Sequence, residues 1–569
     1  MASKTPPRYS IGVDYGTNSC RALVVDVRDG REIATAVFDY PSGDHGVILD
    51  PKNPHLARQN PRDYIDGFVA TLRGALSNAS RSRSFRPDRV VGVGIDTTGS
   101  TPMPVDAEGM PLAFQHRFRD RPAAQAWLWK DHTGHAEAAE ITAKARRFKV
   151  GYLHKCGGTY SSEWYWSKIL RCRRVDSEVF DAAYSWVEAA DFIPGWVTGN
   201  CDPQTMARGI CPAGHKAMYH EDWGGLPSKR FLRALDPALV RLRDAYTDRA
   251  VPADQIAGRL TAEFAVQTGL PPGVPIAVGT FDAHAGGVGS GIRPGTLVKI
   301  LGTSTCDMMV VPGGDELDDI PGLCGIVPDS IIPGMYGLEA GQSAVGDIFN
   351  WFVDKIVPGE YASTADAHAA LASDAAKLRA GESGLLALDW NNGNRTVLVD
   401  PLLTGLLLGQ TLYTSPAEIY RALVEATAFG ALTIIRRFEE YGVKVREVVN
   451  CGGIPSKNSL VLQIYADVCD RPMKISRSAE TCALGAAIFG AVAGGAYRTT
   501  RAAQRRMTGL SKRVFQPDRD AVRVYARLYE QYRKLHDAFG TAGGADGLNG
   551  VMKELIAVRD AARAGERVR

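Results

Sequence analysis

The chain lacks a dominant charge, a paired-cysteine framework and a membrane-length apolar run, and each absence removes a class of function. Lysine and arginine number 66 against 63 aspartates and glutamates, a formal net charge of +3 over 569 residues. Tracking a nucleic-acid backbone takes a concentrated basic face, so no nucleic-acid partner is expected. The ten cysteines are scattered, and none stands in a Cys-x-x-Cys pair. Neither a zinc site nor a disulfide framework is expected, and a reducing cytoplasm fits this usage best. The uncharged stretch 481–497 is rich in alanine and glycine and falls short of the roughly 20 strongly apolar residues that cross a bilayer. It reads as a tightly packed internal helix, so no membrane partner is expected either. Residues 1–10 are polar, with two prolines and no apolar h-region, which argues against secretion.

What the chain does have is a repeat. Ile11-Gly12-Val13-Asp14-Tyr15-Gly16-Thr17-Asn18 and Val298-Lys299-Ile300-Leu301-Gly302-Thr303-Ser304-Thr305 are both β-prone apolar runs ending in Gly-Thr, with a hydroxyl or amide beside it. A strand feeding such a turn presents backbone N–H groups and hydroxyls, the donor set that phosphate oxygens take. With Cys451-Gly452-Gly453 further on, the two copies suggest related halves gripping one nucleotide. An apolar content of 45% supports a large core divided over two or more domains.

The order of elements is mixed α/β. Strands are predicted over 9–13, 21–26 and 32–38, separated by turn signals such as Asp29-Gly30, then an amphipathic helix over 61–77 and a strand over 90–95. Antiparallel strands, then helix, then strand is not a simple Rossmann winding. The pattern restarts after residue 290, with adjacent strands over 297–301 and 307–311. A long helix over 416–441 leads to a strand over 447–450 and the glycine turn, and Ser456 is the expected N-cap of a helix over 458–469. The charged tail, 518–569, with a glycine-rich break over 540–550, reads as a solvated surface helix and a frayed end.

Several polar residues stand where chemistry would need them. Asp14, at the end of a buried-looking strand, suits Mg²⁺ near phosphates, or an Asx-turn; Arg21 pairs with it or faces solvent. Asp282, in Gly279-Thr280-Phe281-Asp282-Ala283-His284, has few side-chain partners nearby. It either caps the following helix or accepts a proton from a hydroxyl nucleophile, and its place just before the second Gly-Thr turn favours the base. His284 reads as a helix-packing histidine. Lys216 and Glu339 stand among small or apolar neighbours, where burial is costly unless paired. Surface exposure is the plainer reading for both, and a polyol ligand would satisfy both. The aromatic, polar stretches 127–132 and 157–166 suit sugar recognition and ordinary core edges equally.

Taken together, Asp14-x-Gly16-Thr17, Gly302-Thr303-Ser304 and Gly453-Ile454-Pro455-Ser456-Lys457-Asn458 resemble the FGGY carbohydrate kinases over about residues 9–500, within the wider sugar-kinase, actin and heat-shock ATPase fold. Leu128-Trp129-Lys130-Asp131-His132-Thr133, Gly214-His215-Lys216-Ala217-Met218, Asp282-Ala283-His284 and Glu339-Ala340-Gly341-Gln342 are similar to members that phosphorylate ribulose. The resemblance implies an α/β chain of two actin-like (ribonuclease H-like) ATPase domains with an interdomain cleft. Residues 1–288 would hold the sugar site and first phosphate loop, 289–500 the ATP site, and 501–569 a helical extension. It implies ATP-dependent transfer of a phosphoryl group to O5 of L-ribulose, with D-ribulose, xylulose or ribitol as alternative acceptors and an actin-like ATPase switch as a more distant rival. Under it, Asp282 is the base, and Lys216, Asp282, Glu339, Thr98 and Gly99 meet the sugar. Gly16, Thr17, Asn18, Arg21, Gly302 and Thr303 cradle phosphates, Gly452, Gly453, Lys457 and Asn458 flank the adenosine, and Asp14 acts on Mg²⁺ through bound water. The implied partners are a ketopentose and MgATP, in a cytoplasmic enzyme with a homodimer as the assembly considered. One departure is expected to matter: Gly99 and Ser100 replace other small residues of the pattern, and extra space there would loosen acceptor selection.

Overall fold

Two seven-stranded sheets carry the molecule, and both grow outward from the same kind of hairpin. The computed structural model describes residues 7–247, 249–357, 359–362, 366–541 and 548–564. In the first sheet, β1 (Tyr9–Tyr15) turns back antiparallel into β2 (Ser19–Asp26), which pairs with β3 (Arg31–Asp39). Every residue of β1 except Asp14 is buried, as expected of a strand covered on both faces. Helix α1 (Pro61–Ala79) packs on β2 and β3 and starts where Asn60 caps it, its side chain accepting from Arg62 N, with Pro61 in the first turn. β4 (Val90–Thr97) runs parallel to β1 on its other side. After α2 (Ile210–Lys216), the strands β5 (Ile256–Arg259), β6 (Pro275–Ala277) and β7 (Thr280–Phe281) complete the order β5-β6-β4-β1-β2-β3, with β7 also on β4. Helix α3 (Asp282–Gly289) follows β7 directly.

The second sheet repeats the plan. β8 (Thr296–Leu301) turns antiparallel into β9 (Thr305–Pro312), then β10 (Gly325–Pro328) and β11 (Met335–Ala340) extend that side. Helix α4 (Pro416–Glu440), closed at its start by a capping box between Ser415 and Glu418, leads to β12 (Glu447–Cys451), parallel to β8. Helices α5 (Gly453–Lys457) and α6 (Ser459–Cys469) precede β13 (Met473–Ser476). The final order is β10-β11-β9-β8-β12-β13-β14, with β14 spanning Leu510–Phe515.

The uncharged stretch forms α7 (Thr481–Ala493), the buried internal helix expected. It stands between β13 and β14 of the second sheet in sequence yet packs on β1, β4 and α3 of the first half. The approach is so close that a Cβ on Gly12 would lie 1.7 Å from Ala483 O and one on Gly94 1.9 Å from Ala486 O; only glycine fits there. Among the described residues no helix is long and apolar enough to cross a membrane.

Two expectations are corrected here. Ser456 does not cap α6: it lies inside α5 and donates to Gly453 O, while Asn458 is the cap and accepts from Val461 N. The extension 501–569 is not purely helical, and the tail 518–569 is not merely solvated. β14 adds an edge strand to the second sheet, and α8 (Arg519–Gly540) buries Tyr525, Tyr532 and His536. Tyr525 donates to Glu425 and Tyr532 to Asp389, both inside the second half. Residues 542–547 of the glycine-rich break lie outside the described residues.

Candidate active site

Strand register brings three carboxylates together. In the parallel pairing of β1 and β4, Asp14 stands opposite Asp96, and β7 pairs Thr280 with Asp96, so the next turn delivers Asp282 to the first position of α3. Asp96, which the sequence did not single out, is fully buried, and among the described residues no N–H or hydroxyl donor reaches its oxygens, which leaves the Asp14 carboxyl as its hydrogen-bonding neighbour. Burial, then the charges of Asp14 and Asp282, push its carboxyl well above the usual range. Burial also raises Asp14, with its hydrogen bond to Asp96 and then Arg21 working the other way. Asp282 is pushed up to about 7, chiefly by burial and then by Asp14. Carboxylates converging in this way are the hard oxygen donors that Mg²⁺ takes. Arg21 does not pair with Asp14 directly; its guanidinium meets Glu480 at 2.5 Å.

The Gly-Thr turns stand at the ends of β1 and β8. In the first, Gly16 N donates to Ser19 O at 2.9 Å. Thr17 is braced by side chains: Trp129 Nε1 donates to its Oγ1 at 3.0 Å and Gln59 Nε2 to its carbonyl at 2.8 Å. Asn18 is exposed and donates to His45 O. In the second, Gly302 N donates to Ser304 O at 3.0 Å, and the carbonyl of exposed Thr303 accepts from Val345 N and Asp347 N at 2.8 and 3.1 Å. Gly452, at φ 96°, and Gly453 turn the chain after β12, and a Cβ on Gly452 would lie 2.5 Å from Leu301 O. Lys457 is exposed, and Asn458 also donates to the Tyr420 hydroxyl.

The surface expectation for Lys216 and Glu339 is overturned. Lys216, at the end of α2, is 4% exposed and Glu339, on β11, is 8% exposed. Lys216 Nζ donates to both carboxylate oxygens at 2.9 and 3.1 Å. Burial alone would raise the Glu339 carboxyl, but Lys216, then His215 and His284, hold it far below the carboxylate range. His284 is not a simple packing residue: it lies beside His215 and Glu339 with both ring nitrogens unpartnered among the described residues.

The loop after β4 contradicts the expected slack at Gly99. A Cβ there would lie 2.2 Å from the Phe281 ring, so glycine is required by that contact and leaves no spare room. Thr98 and Thr101 share a hydroxyl hydrogen bond at 3.1 Å. Two buried charges that the sequence reading missed hold this loop. Glu188 accepts from the Ser100 hydroxyl and, at 2.7 Å, from Thr101 N; Lys168 Nζ donates to Ser100 O at 2.7 Å and to Trp127 O and Leu128 O. Burial raises the Glu188 carboxyl and lowers the Lys168 ammonium.

Comparison with known families accounts for this arrangement. Residues 9–289 match the N-terminal domain model of the FGGY family of carbohydrate kinases, and residues 297–494 match its C-terminal domain model. The chain belongs to the FGGY family of carbohydrate kinases. It is therefore a sugar kinase, a phosphotransferase with an alcohol acceptor, and ATP is the substrate this family uses. The chain is 44% identical to a ribulokinase of Geobacillus thermodenitrificans (98% of each chain) and 41% identical to one of Mycolicibacterium smegmatis (100% and 99%). Among solved structures, a xylulose kinase of Rhodospirillum rubrum superposes with a TM-score of 0.73 at 22% identity, over 94% of this chain and 99% of that one. Plasmodium falciparum glycerol kinase with ADP superposes with 0.74 at 14%, over 93% and 98%. These likenesses establish the two-domain FGGY fold.

Proposed function

We propose that this FGGY kinase is an ATP-dependent ribulokinase acting on O5 of L-ribulose. The observation that carries the reading is likeness to ribulokinases at 41–44% identity over almost the whole length, with Lys216 and Glu339 paired in a buried setting and Asp282 half-buried. Lys216 and Glu339 neutralise one another in the absence of sugar; in the pocket, the ammonium donates to sugar oxygens and the carboxylate accepts hydroxyl hydrogens. Asp282 takes the O5 proton as the O5–phosphorus bond forms and the bond from the γ-phosphorus to the ADP oxygen breaks, giving ribulose 5-phosphate and ADP. A carboxylate with its proton affinity raised to about 7 is a far better proton acceptor than an ordinary aspartate. The N–H groups and hydroxyls around Gly16, Thr17 and Asn18, and around Gly302 and Thr303, orient the phosphates, while Gly452, Gly453, Lys457 and Asn458 flank the adenosine. Asp14 and Asp96 are the residues that would hold Mg²⁺, which neutralises phosphate-oxygen charge when bound. The cytoplasm, as working compartment, suits ten cysteines that are all free thiols.

Coupled ADP-release assays with L-ribulose, D-ribulose, xylulose and ribitol test the proposal. L-Ribulose is expected to show the highest kcat/KM. A higher kcat/KM for another acceptor, or ADP release indifferent to sugar, would overturn it.

A further inference from the structure

A neutral imidazole has one donor and one acceptor nitrogen, so its tautomer follows from its partners. Ser330 Oγ lies 3.0 Å from both Val327 O and His215 Nε2, so its one hydrogen serves either acceptor and the His215 tautomer follows. His215 Nδ1 lies 3.2 Å from Glu339 Oε2 but makes no hydrogen bond among the described residues. His284 adds a third polar group. Its Nε2 is 3.7 Å from the same oxygen, its ring centroid is 4.4 Å from that of His215, and neither of its nitrogens has a partner among the described residues. Both histidines are 2% exposed. Burial disfavours their protonated forms, His284 adding to this for His215, and the opposing Glu339 charge does not outweigh it, so both imidazoles are neutral. Leaving a buried polar group unsatisfied is costly, and here several such groups converge on one point.

We infer that His215 Nδ1, His284 and Glu339 Oε2 form a polar cradle in the acceptor pocket that hydrogen-bonds hydroxyls of the ketose, with His284 a specificity-determining residue. The inference rests on the ribulokinase reading and names the part of the sugar that the site recognises. His284 lies two residues after Asp282 on α3, so a pentulose presenting its terminal hydroxyl to Asp282 has hydroxyls on adjacent carbons to hydrogen-bond here. The cradle atoms lie within 4.8 Å of one another, a grouping that also suits a metal ion. The Lys216 ammonium bound to both Glu339 oxygens opposes a dication at that point, whereas hydroxyls add no net charge.

The test compares wild type with His284→Phe, which keeps ring volume and removes both nitrogens, and with His284→Gln, which restores polar atoms. His284→Phe is expected to raise the KM for L-ribulose about tenfold or more, leave the KM for ATP at the wild-type value, and lose most of the discrimination against 3-deoxy and 4-deoxy ribulose. His284→Gln is expected to recover part of that discrimination. Wild-type KM and discrimination in His284→Phe overturn the inference. A second measurement needs no variant: in wild type carrying ¹⁵N-imidazole histidine, L-ribulose without ATP is expected to shift the His284 ring-nitrogen resonances, and unmoved resonances count against the cradle. Wild-type turnover of L-ribulose tests the ribulokinase reading separately, so failure of one is distinguishable from failure of the other.

Discussion

The two Gly-Thr turns share a backbone and differ in charge. Each ends a central strand that has an antiparallel partner on one side and a parallel partner on the other. In the first half, Asp14 stands two residues before Gly16 and faces Asp96 across the parallel pair. In the second, Ile300 holds that position and faces Cys451. The charged residue beside it, Lys299, is spent on Asp307 at 2.8 and 2.9 Å and on Gln342 at 2.9 Å. Both halves therefore present N–H donors, while at this pair of strand positions the first half carries carboxylates and the second does not. The turns also differ in support: side chains of Trp129 and Gln59 hold the first, and backbone N–H groups of residues 345 and 347 hold the second.

The largest expected effect is at Asp282, which should break the chemistry without touching either turn. Asp282→Asn is expected to lower kcat by about 10²–10⁴ with L-ribulose affinity in calorimetry near the wild-type value. Near-normal turnover would remove Asp282 from the base role. The same carboxyl sets a pH profile. Burial raises it to about 7, so below that pH it is protonated and cannot take the O5 proton. The expected kcat/KM falls about tenfold per pH unit below 7 and levels off above it. A profile flat from pH 5 to 8 contradicts the assignment.

Next in size is a direct test of the charge asymmetry. Asp14→Asn or Asp96→Asn is expected to cost about 10²-fold in kcat and raise the Mg²⁺ concentration for half-maximal activity, whereas Ile300→Val, at the corresponding place on β8, is expected to leave the Mg²⁺ dependence unchanged. Equal shifts in both halves would erase the distinction. A smaller change is expected where Lys168 and Glu188 hold the loop carrying Thr98 and Gly99. Glu188→Gln is expected to raise the KM for L-ribulose severalfold with the KM for ATP unchanged, since the Ser100 and Thr101 donors lose a charged acceptor. A shift in the ATP constant instead would place the loop's influence elsewhere.

Much of the scaffold was legible because its cues are local. Apolar β-runs ending in Gly-Thr marked β1 and β8, and a stretch of alanine and glycine marked α7, where close packing demands small residues. The site was legible only in part because its decisive contacts are remote. Lys216 reads as a surface lysine until Glu339 arrives from 123 residues away. Asp96 gains its meaning only from the register that sets it opposite Asp14, and Gly99 only from the ring of Phe281. His215 and His284 carried no sequence signal beyond their nearness to Lys216 and Asp282. Two misses had usable signals. Asparagine caps a helix as well as serine does, so Asn458 competed with Ser456 on equal terms and stands next to the first helical residue. In the tail, Tyr525, Tyr529, Tyr532 and His536 recur at helical spacing and mark one apolar face of α8.

The smallest expected effect probes the support of the first turn. Trp129→Phe removes the indole N–H that holds Thr17 Oγ1 and keeps most of the ring's volume. One neutral hydrogen bond is worth about 1 kcal/mol, or roughly fivefold, so the KM for ATP is expected to rise by about that factor. Thr17→Val removes the acceptor as well as the hydroxyl offered to phosphate and is expected to cost more. If the indole acts through Thr17, the double variant should be little worse than Thr17→Val alone, leaving a coupling of about 1 kcal/mol in the cycle. Full additivity would mean that Trp129 affects ATP by another route. The second turn has no such side chain to remove, because its carbonyl is held by the main chain of residues 345 and 347.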